Sequence, residues 1–543
     1  MKAHKKGIVR IVAATLAAAS LLFTAACAGG TGSSSASSAS TDLKVGLTAS
    51  PANLDMTQTS GAAIPQALMV NVYEGLVKLK DDGKTIEPLL AKSWTVSEDG
   101  LTYTFKLQSG VKFSNGDSFD SSTVKYNLER LNTWKANTPS NLSAIDHVDT
   151  PSADEAKVVL KSPDRNVLFW LTGPLGAMFD PKAVDSLKTE AVGTGPFTVK
   201  SYAVGSKLSL ARNTSYWGTK PSLKTVELMY YTDTTSCSNA LLSGDIDTIY
   251  NFTAYDQLDQ FKNNDNYRID VGNAQGILVL AMNSKKAPFD NADLRQAVMY
   301  AVDRSKVVDT VLNGYGNVIS SPSIPTDAWY KKSDAYAYNQ SKAKELVKES
   351  GAGNPTINFT VPSLSYAQSI SQVVKTQLEA VGFTVNLETQ EFPAVWLQNT
   401  LTDKNYDMTA ILHVEPRNVF NYGNSDYYWN YSNQTVQDAF ANAKKSGDDE
   451  EFNSYMNQAI TQIQKDAPAD WLYNPKLLVV TKNNVSGINK NDVGIAWPLT
   501  GPTRPSNRGH KSPPKNHGGP SPGGAPLSYR RAGKRHTRTP SRS

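Results

Sequence analysis

Residues 275–308, QGILVLAMNSKKAPFDNADLRQAVMYAVDRSKVV, constrain the fold more than any other stretch of the chain. Ile277 to Met282 is an unbroken apolar run rich in branched side chains, which predicts a strand covered on both faces in an α/β sheet. Asn283 ends it. Pro288, Phe289, Asp290 and Asn291 supply turn and N-cap chemistry, and Leu294, Ala297, Val298, Ala301 and Val302 then recur at helical spacing on one face. The spacing predicts one long helix with Arg295 and Gln296 turned to solvent. Strand, turn and helix alone are common among α/β proteins, and the order of residues is far narrower.

Asn283, then Pro288-Phe289-Asp290, then Leu294-Arg295-Gln296-Ala297, then Tyr300-Ala301-Val302-Asp303-Arg304 resembles the segment shared by extracellular solute-binding proteins of the dipeptide and oligopeptide transporter class, family 5. Tyr73-Glu74-Gly75-Leu76, Gly110-Val111-Lys112-Phe113, Gly193-Thr194-Gly195-Pro196-Phe197, Tyr216-Trp217-Gly218 and Leu241-Leu242-Ser243-Gly244-Asp245 continue the resemblance, which spans roughly residues 43 to 497. It implies a two-lobed, periplasmic-binding-protein-like α/β fold with an inserted third subdomain and a hinge between the lobes. Residues 42–70, 192–276 and 482–500 are expected to form the first lobe, 71–191 its insert and 277–481 the second lobe. Asp99-Gly100 between alternating apolar residues predicts a hairpin within the insert. Ile357 to Val361, a helix from Ser369 to Ala380 and Thr384 to Leu387 alternate as in a mostly parallel, helix-covered sheet.

The length of 543 residues predicts two or three subdomains. The net charge of +5 is carried by the ends: residues 27–500 hold 41 basic and 50 acidic residues, a balance of about −9 that argues against a nucleic-acid partner. Residues 1–26 read as an export signal, basic at the start and then apolar for thirteen residues, too few to span a bilayer. Thr24-Ala25-Ala26-Cys27 resembles a bacterial lipobox with Thr24 where leucine is usual. It implies a lipid on Cys27 and anchoring to the outer face of the cytoplasmic membrane. Ordinary signal cleavage after Ala28 is the other reading. With Cys27 acylated, Cys237 is the remaining cysteine and no disulfide can form. Residues 27–41 read as a flexible tether and 501–543, rich in Pro, Gly and basic residues, as a disordered basic tail.

Chemistry is sparsely supplied. Of six histidines only His147 and His413 lie in the body, so no zinc spacing can be assembled and a histidine-dependent hydrolase is poorly supplied. Binding is therefore favoured over catalysis; no cofactor or resident metal is expected. In peptide-binding relatives the stretch after Tyr406-Asp407 carries an aspartate that pairs with the ligand's α-amino group. Here it reads Leu412-His413-Val414-Glu415-Pro416-Arg417, without that aspartate. Glu415 is the nearest acid to take an ammonium, and Arg417 the base to take a carboxylate. Trp396, Tyr428, Trp429 and Trp471 are candidates to line the cleft, where stacked rings suit peptide side chains and sugar faces equally. The resemblance implies a monomer that closes two lobes over a solute, a peptide first of all, and delivers it to the permease and ATPase of an ABC importer. A sugar oligomer or a nickel chelate with His413 as ligand remain open, as does a surface-anchored hydrolase.

Overall fold

The computed structural model describes residues 41–59 and 61–504; the expected signal, Cys27 and its tether, and the tail beyond 504 lie outside them. Twelve strands are linked through one long strand, Ala469–Lys482, and two further small sheets of two and four strands complete the β-structure of the described residues. The halves of the long strand serve different neighbours. Residues 476–482 pair antiparallel with Tyr267–Asn273, and Thr248–Tyr250 joins the same half. Residues 469–473 pair instead with Ile277–Met282, which is buried at every position. Sheet partners thus change at one level, where chain passes from Asn273 to Ile277 and back through Asn474. The buried Asn474 amide donates 2.7 Å bonds to the carbonyls of Ala274 and Gly276, tying the two passages together.

Ile277–Met282 forms as its apolar run predicts, but the helix after it is two helices, Ala292–Ala301 and Arg304–Leu312. Asn291 caps the first through the Asp293 amide. Val302 then turns extended, and the Asp303 side chain accepts from the Lys306 amide to start the second. Arg295 does not face solvent. It is buried, and its guanidinium donates to the carbonyls of Phe289 and Asp466, so carbonyls at a helix end replace water. The sheet around it is mixed. Thr356–Pro362 runs parallel to Thr384–Gln390 as predicted, whereas Ile277–Met282 is antiparallel to both Met408–His413 and the long strand. Those two partners arrive from far later in the chain, not through a helical crossover from the preceding strand.

The predicted hairpin is present: Ala91–Val96 pairs antiparallel with Thr102–Leu107 around Gly100 at φ +69°, within a four-stranded sheet that also holds Ile145–Ser152 and Glu155–Leu160. Three of the quoted motifs meet at one buried carboxylate. Glu74 accepts from Thr194 Oγ1 at 2.8 Å, Tyr216 Oη at 2.7 Å and Trp217 Nε1 at 2.9 Å. Burial pushes its carboxyl up, and these donors work against that shift. A Cβ on Gly193 would stand 1.9 Å from the Val72 carbonyl oxygen, so only glycine lets the two segments meet there. Near the other end, Thr503 exchanges backbone hydrogen bonds with Ser486, and Arg504 pairs with Asp247. Residues 502–504 are thus docked on the body, in contrast to the expectation of a tail disordered from Gly501.

Candidate functional site

The cavity that the loop 414–416 reaches has a volume of about 340 Å³ and is walled by six separate parts of the chain, at 61–70, 79–81, 137–141, 169–175, 414–416 and 489–498. Val414, Glu415 and Pro416 come from the loop that leaves the strand Met408–His413. Phe169 and Trp170, edge-on to each other with ring centroids 5.2 Å apart, come from the short helix Val167–Trp170. Asp81 sits at the turn between Val77–Leu79 and Ile86–Pro88, and residues 489–498 close the remaining side. Val70, Asn137 and Thr138, also on the wall, hold φ values of +59°, +61° and +52°. A β-branched residue such as Val70 in the left-handed region is strained, and strain of this kind gathers at ligand sites because the surrounding packing must impose it.

Glu415 is the predicted residue that this wall presents. Its carboxylate lies 3.3 Å from His413 Nδ1, and His413 Nε2 lies 2.9 Å from the Tyr428 hydroxyl. A carboxylate only accepts, so in the neutral ring Nδ1 carries the proton and the Tyr428 hydroxyl donates to Nε2. Burial opposes charge on Glu415, yet the hydrogen bond from His413 outweighs it and holds the carboxyl below its usual range. Tyr428, His413 and Glu415 therefore form one chain that ends in an ionised carboxylate at the cavity. His413 itself is buried with both ring nitrogens engaged, which leaves it unlike the chelate ligand expected of it. Among the described residues no group of three or more His, Cys, Asp and Glu side chains is placed to hold a metal ion.

The other predicted residues are elsewhere. Trp396, Trp429 and Trp471 are almost fully buried and none is on the cavity wall: Trp396 Nε1 donates to Thr409, Trp471 Nε1 to Tyr422, and Trp429 stacks on Tyr422 at 4.0 Å and 8°. They are core of the second half of the sheet, and Tyr428 acts only through His413. Arg417 is turned away from the main cavity. Its guanidinium lies 3.7 Å from the Phe169 ring centroid and donates to Asn166, beside a separate pocket of about 30 Å³ shared with Asp327, Lys84 and Gln275. Burial pulls the guanidinium below its ordinary value, while Asp327 and Asp164 favour its charge. A second tie lies close by. The Arg165 amide donates to the Lys444 carbonyl at 2.8 Å, its side chain pairs with Asp449, and Lys444 Nζ lies 3.5 Å from Asp164. Arg417 and Arg165 thus clasp the segment 164–169 to elements that follow Ile277–Met282.

Sequence reasoning missed Phe169, Trp170 and the segment 489–498. Two adjacent aromatics between Pro163 and Pro174 in a stretch too short for a long helix were the available signal. Next to the wall, Asp492 has its carboxyl pushed up to about 7 by burial. Its folded pKa lies above the unfolded value of roughly 3.9, so this group withdraws stability as pH rises from about 4 to about 7. Asp492→Asn is expected to raise the melting temperature at pH 8 and leave it nearly unchanged at pH 4; equal shifts at both pH values in calorimetry would contradict this origin.

An α/β scaffold with a partly apolar cavity, a strained rim and one positioned carboxylate defines a small-solute binding protein rather than a surface built for a macromolecule. The profile of the bacterial extracellular solute-binding proteins, family 5 (middle region), matches residues 85–439, and the chain belongs to that family. The glutathione-binding protein GsiB of Salmonella paratyphi A is 26% identical over 458 residues, covering 78% of this chain and 87% of the relative. Two solved structures share the fold: the oligopeptide-binding protein AppA of Bacillus subtilis in complex with a nonapeptide, at TM-score 0.72, 22% identity and coverage of 86% of this chain and 99% of that one, and NikZ of Campylobacter jejuni in complex with Ni(L-His), at TM-score 0.71, 19% identity and coverage of 86% and 99%. The two-lobed α/β fold is thereby shown, and the family is one of exported, solute-binding proteins.

Proposed function

We propose that this chain is the solute-capturing subunit of an ATP-driven importer and that its solute is a short peptide. The first lobe is 42–70 with 192–276 and the chain from 476 to 500, carrying the insert 71–191, and the second is 277–473, because 476–482 pair with first-lobe strands. They move about the paired passages at 273–277 and 474–476, where the sheet changes partners and only two chain segments cross. The observation that carries the reading is the ionised Glu415 at the wall of a cavity that also holds Phe169 and Trp170. It takes the place of the missing aspartate: a carboxylate for the α-ammonium, with apolar surface beside it for side chains. The names of the relatives support the class, since they bind glutathione and a nonapeptide.

In this reading the protein is not an enzyme. It acts as a monomer, docks in its closed form on the permease, and is held at the outer face of the cytoplasmic membrane by a lipid on Cys27. A labelled-lipid incorporation assay on Cys27→Ala tests the anchor: loss of label with unchanged peptide binding is expected. A nickel chelate or a neutral glycan is the weaker reading, because His413 is already engaged on both nitrogens.

Glu415→Gln keeps the shape and removes the charge. Loss of one charge-assisted hydrogen bond is expected to weaken peptide binding by about 1.5–3 kcal/mol, roughly tenfold to a hundredfold. Titration calorimetry checks it: an unchanged Kd would remove Glu415 from the site.

A further inference from the structure

We infer, resting on the peptide reading above, that the cavity selects for cationic solutes and holds no carboxylate: its preferred ligand is a short peptide carrying a basic side chain in addition to its free α-amine. The ionisable residues on the cavity wall are Asp81 and Glu415, both acids; no lysine, arginine or histidine lies on that wall. Neither acid has a lysine or arginine partner among the described residues. Glu415 meets only the His413 ring, and the Asp81 carboxylate meets the Asn489 amide at the long distance of 3.5 Å. The two carboxylates share one largely apolar wall, are both solvent-accessible and have no lysine or arginine partner, so the field there is negative though screened by water, and a second positive charge on the ligand is favoured.

The nearby bases are committed elsewhere. Arg417, the residue expected to grip a ligand carboxylate, stacks on the far side of Phe169, bonds Asn166 and faces Asp327 in the separate small pocket, with Lys84. Phe169 borders both pockets, and the cations beside it, Arg417 and Lys84, line the small one, where Asp327 is also present. A ligand carboxylate in the main cavity would find two like charges and no donor cation, which makes rejection of acidic side chains as much a part of the selectivity as attraction of basic ones. Phe169 and Trp170 add faces and edges on which an aliphatic stem ending in a cation can lie.

The test uses the full chain, freed of co-purified solute, titrated calorimetrically with Ala-Phe-Lys, Ala-Phe-Ala and Ala-Phe-Glu, each with a free and an amidated C-terminus. The expected order is Lys over Ala by about tenfold and Ala over Glu by a similar factor, with amidation changing Kd by less than about threefold. Asp81→Asn is expected to bring the ratio of the Ala-peptide to the Lys-peptide Kd from about tenfold to about one, and a ratio that stays near tenfold in the variant overturns the role of Asp81. Equal binding of the three side chains, or a tenfold loss on amidation, overturns the inference and leaves the peptide reading standing. Failure of the entire series together with capture of a neutral oligosaccharide overturns both.

Discussion

Arg304→Met is expected to cost about 3–5 kcal/mol of stability, because it strands a carboxylate in the core of the second half of the sheet. Arg304 and Asp470 are both buried, and Asp470 Oδ1 receives Arg304 Nε at 2.8 Å and Nη2 at 2.6 Å. The remaining donors go to the carbonyls of Tyr336 and Met299, so one guanidinium joins the second helix of the crossing stretch to the long strand and to the loop before Gln340–Glu349. Burial already pushes the Asp470 carboxyl up to about 6, with Arg304 opposing the shift. Without Arg304 the folded-state pKa moves further above the unfolded value of roughly 3.9, and the group withdraws stability as pH rises through that widened window. The loss in urea-induced unfolding should therefore be larger at pH 8 than at pH 5. Replacing the pair, Arg304→Met with Asp470→Leu, is expected to recover most of the loss, since an apolar pair of similar volume needs no counter-charge. A double variant as unstable as the single one would show that the other two carbonyl bonds, and not the stranded carboxylate, account for the effect.

That pair also marks the boundary of what the sequence disclosed. The strand Ile277–Met282, the Asp99-Gly100 hairpin and the parallel pairing of Thr356–Pro362 with Thr384–Gln390 were legible because each follows from local apolar period or turn chemistry. Arg295 and Arg304 were not. A charged residue in an amphipathic helix reads as solvent-facing, and the groups that make its burial tolerable sit far along the chain: the Asp466 carbonyl, 171 residues from Arg295, and Asp470, 166 from Arg304. The kink at Val302 was hidden for a related reason. Its apolar side chain continues the helical stripe, and only the Asp303 cap reveals that a new helix begins.

The candidate site divides in the same way. Glu415 was reachable by comparing the stretch after Asp407 with the family pattern, and the structure brings it to the wall of a cavity. The His413 and Tyr428 side chains that position it were chosen for other roles. Phe169, Trp170 and Asp81 lie more than 240 residues before the loop at 414–417, and no spacing in the sequence ties them to it. Arg417 was selected for its charge, but a cation in a confined pocket finds the nearest π-face and carbonyl-type acceptor, here Phe169 and Asn166.

The tyrosines and the one tryptophan between 420 and 431 show why composition cannot separate a cleft wall from a core, and Trp429→Ala turns that distinction into a measurement. Trp429 is wholly buried. It stacks on Tyr422 and lies with ring centroids 4.3 Å from Tyr427 and 5.0 Å from Tyr428, with its backbone carbonyl accepting from the Ser284 amide. Removing an indole from such packing leaves a cavity that its neighbours cannot fully close, an expected loss of about 3–5 kcal/mol. Because no atom of Trp429 borders the solute cavity, the folded variant should bind peptide with a Kd within about threefold of the parent, whereas Trp170→Ala, on the wall and only partly buried, should cost little stability and weaken binding by about tenfold. Unfolding curves and titrations at a temperature where each variant is fully folded separate the two effects. If Trp429→Ala lost affinity while keeping its stability, the solute would lie deeper than the cavity at Glu415, against the tryptophan cluster itself. If both variants lost affinity alike, the Tyr428–His413–Glu415 chain would be transmitting the core's packing to the site, since Trp429 packs directly on Tyr428 and faces the His413 ring at 6.2 Å. The expected split, stability from one indole and affinity from the other, follows from where each ring is packed.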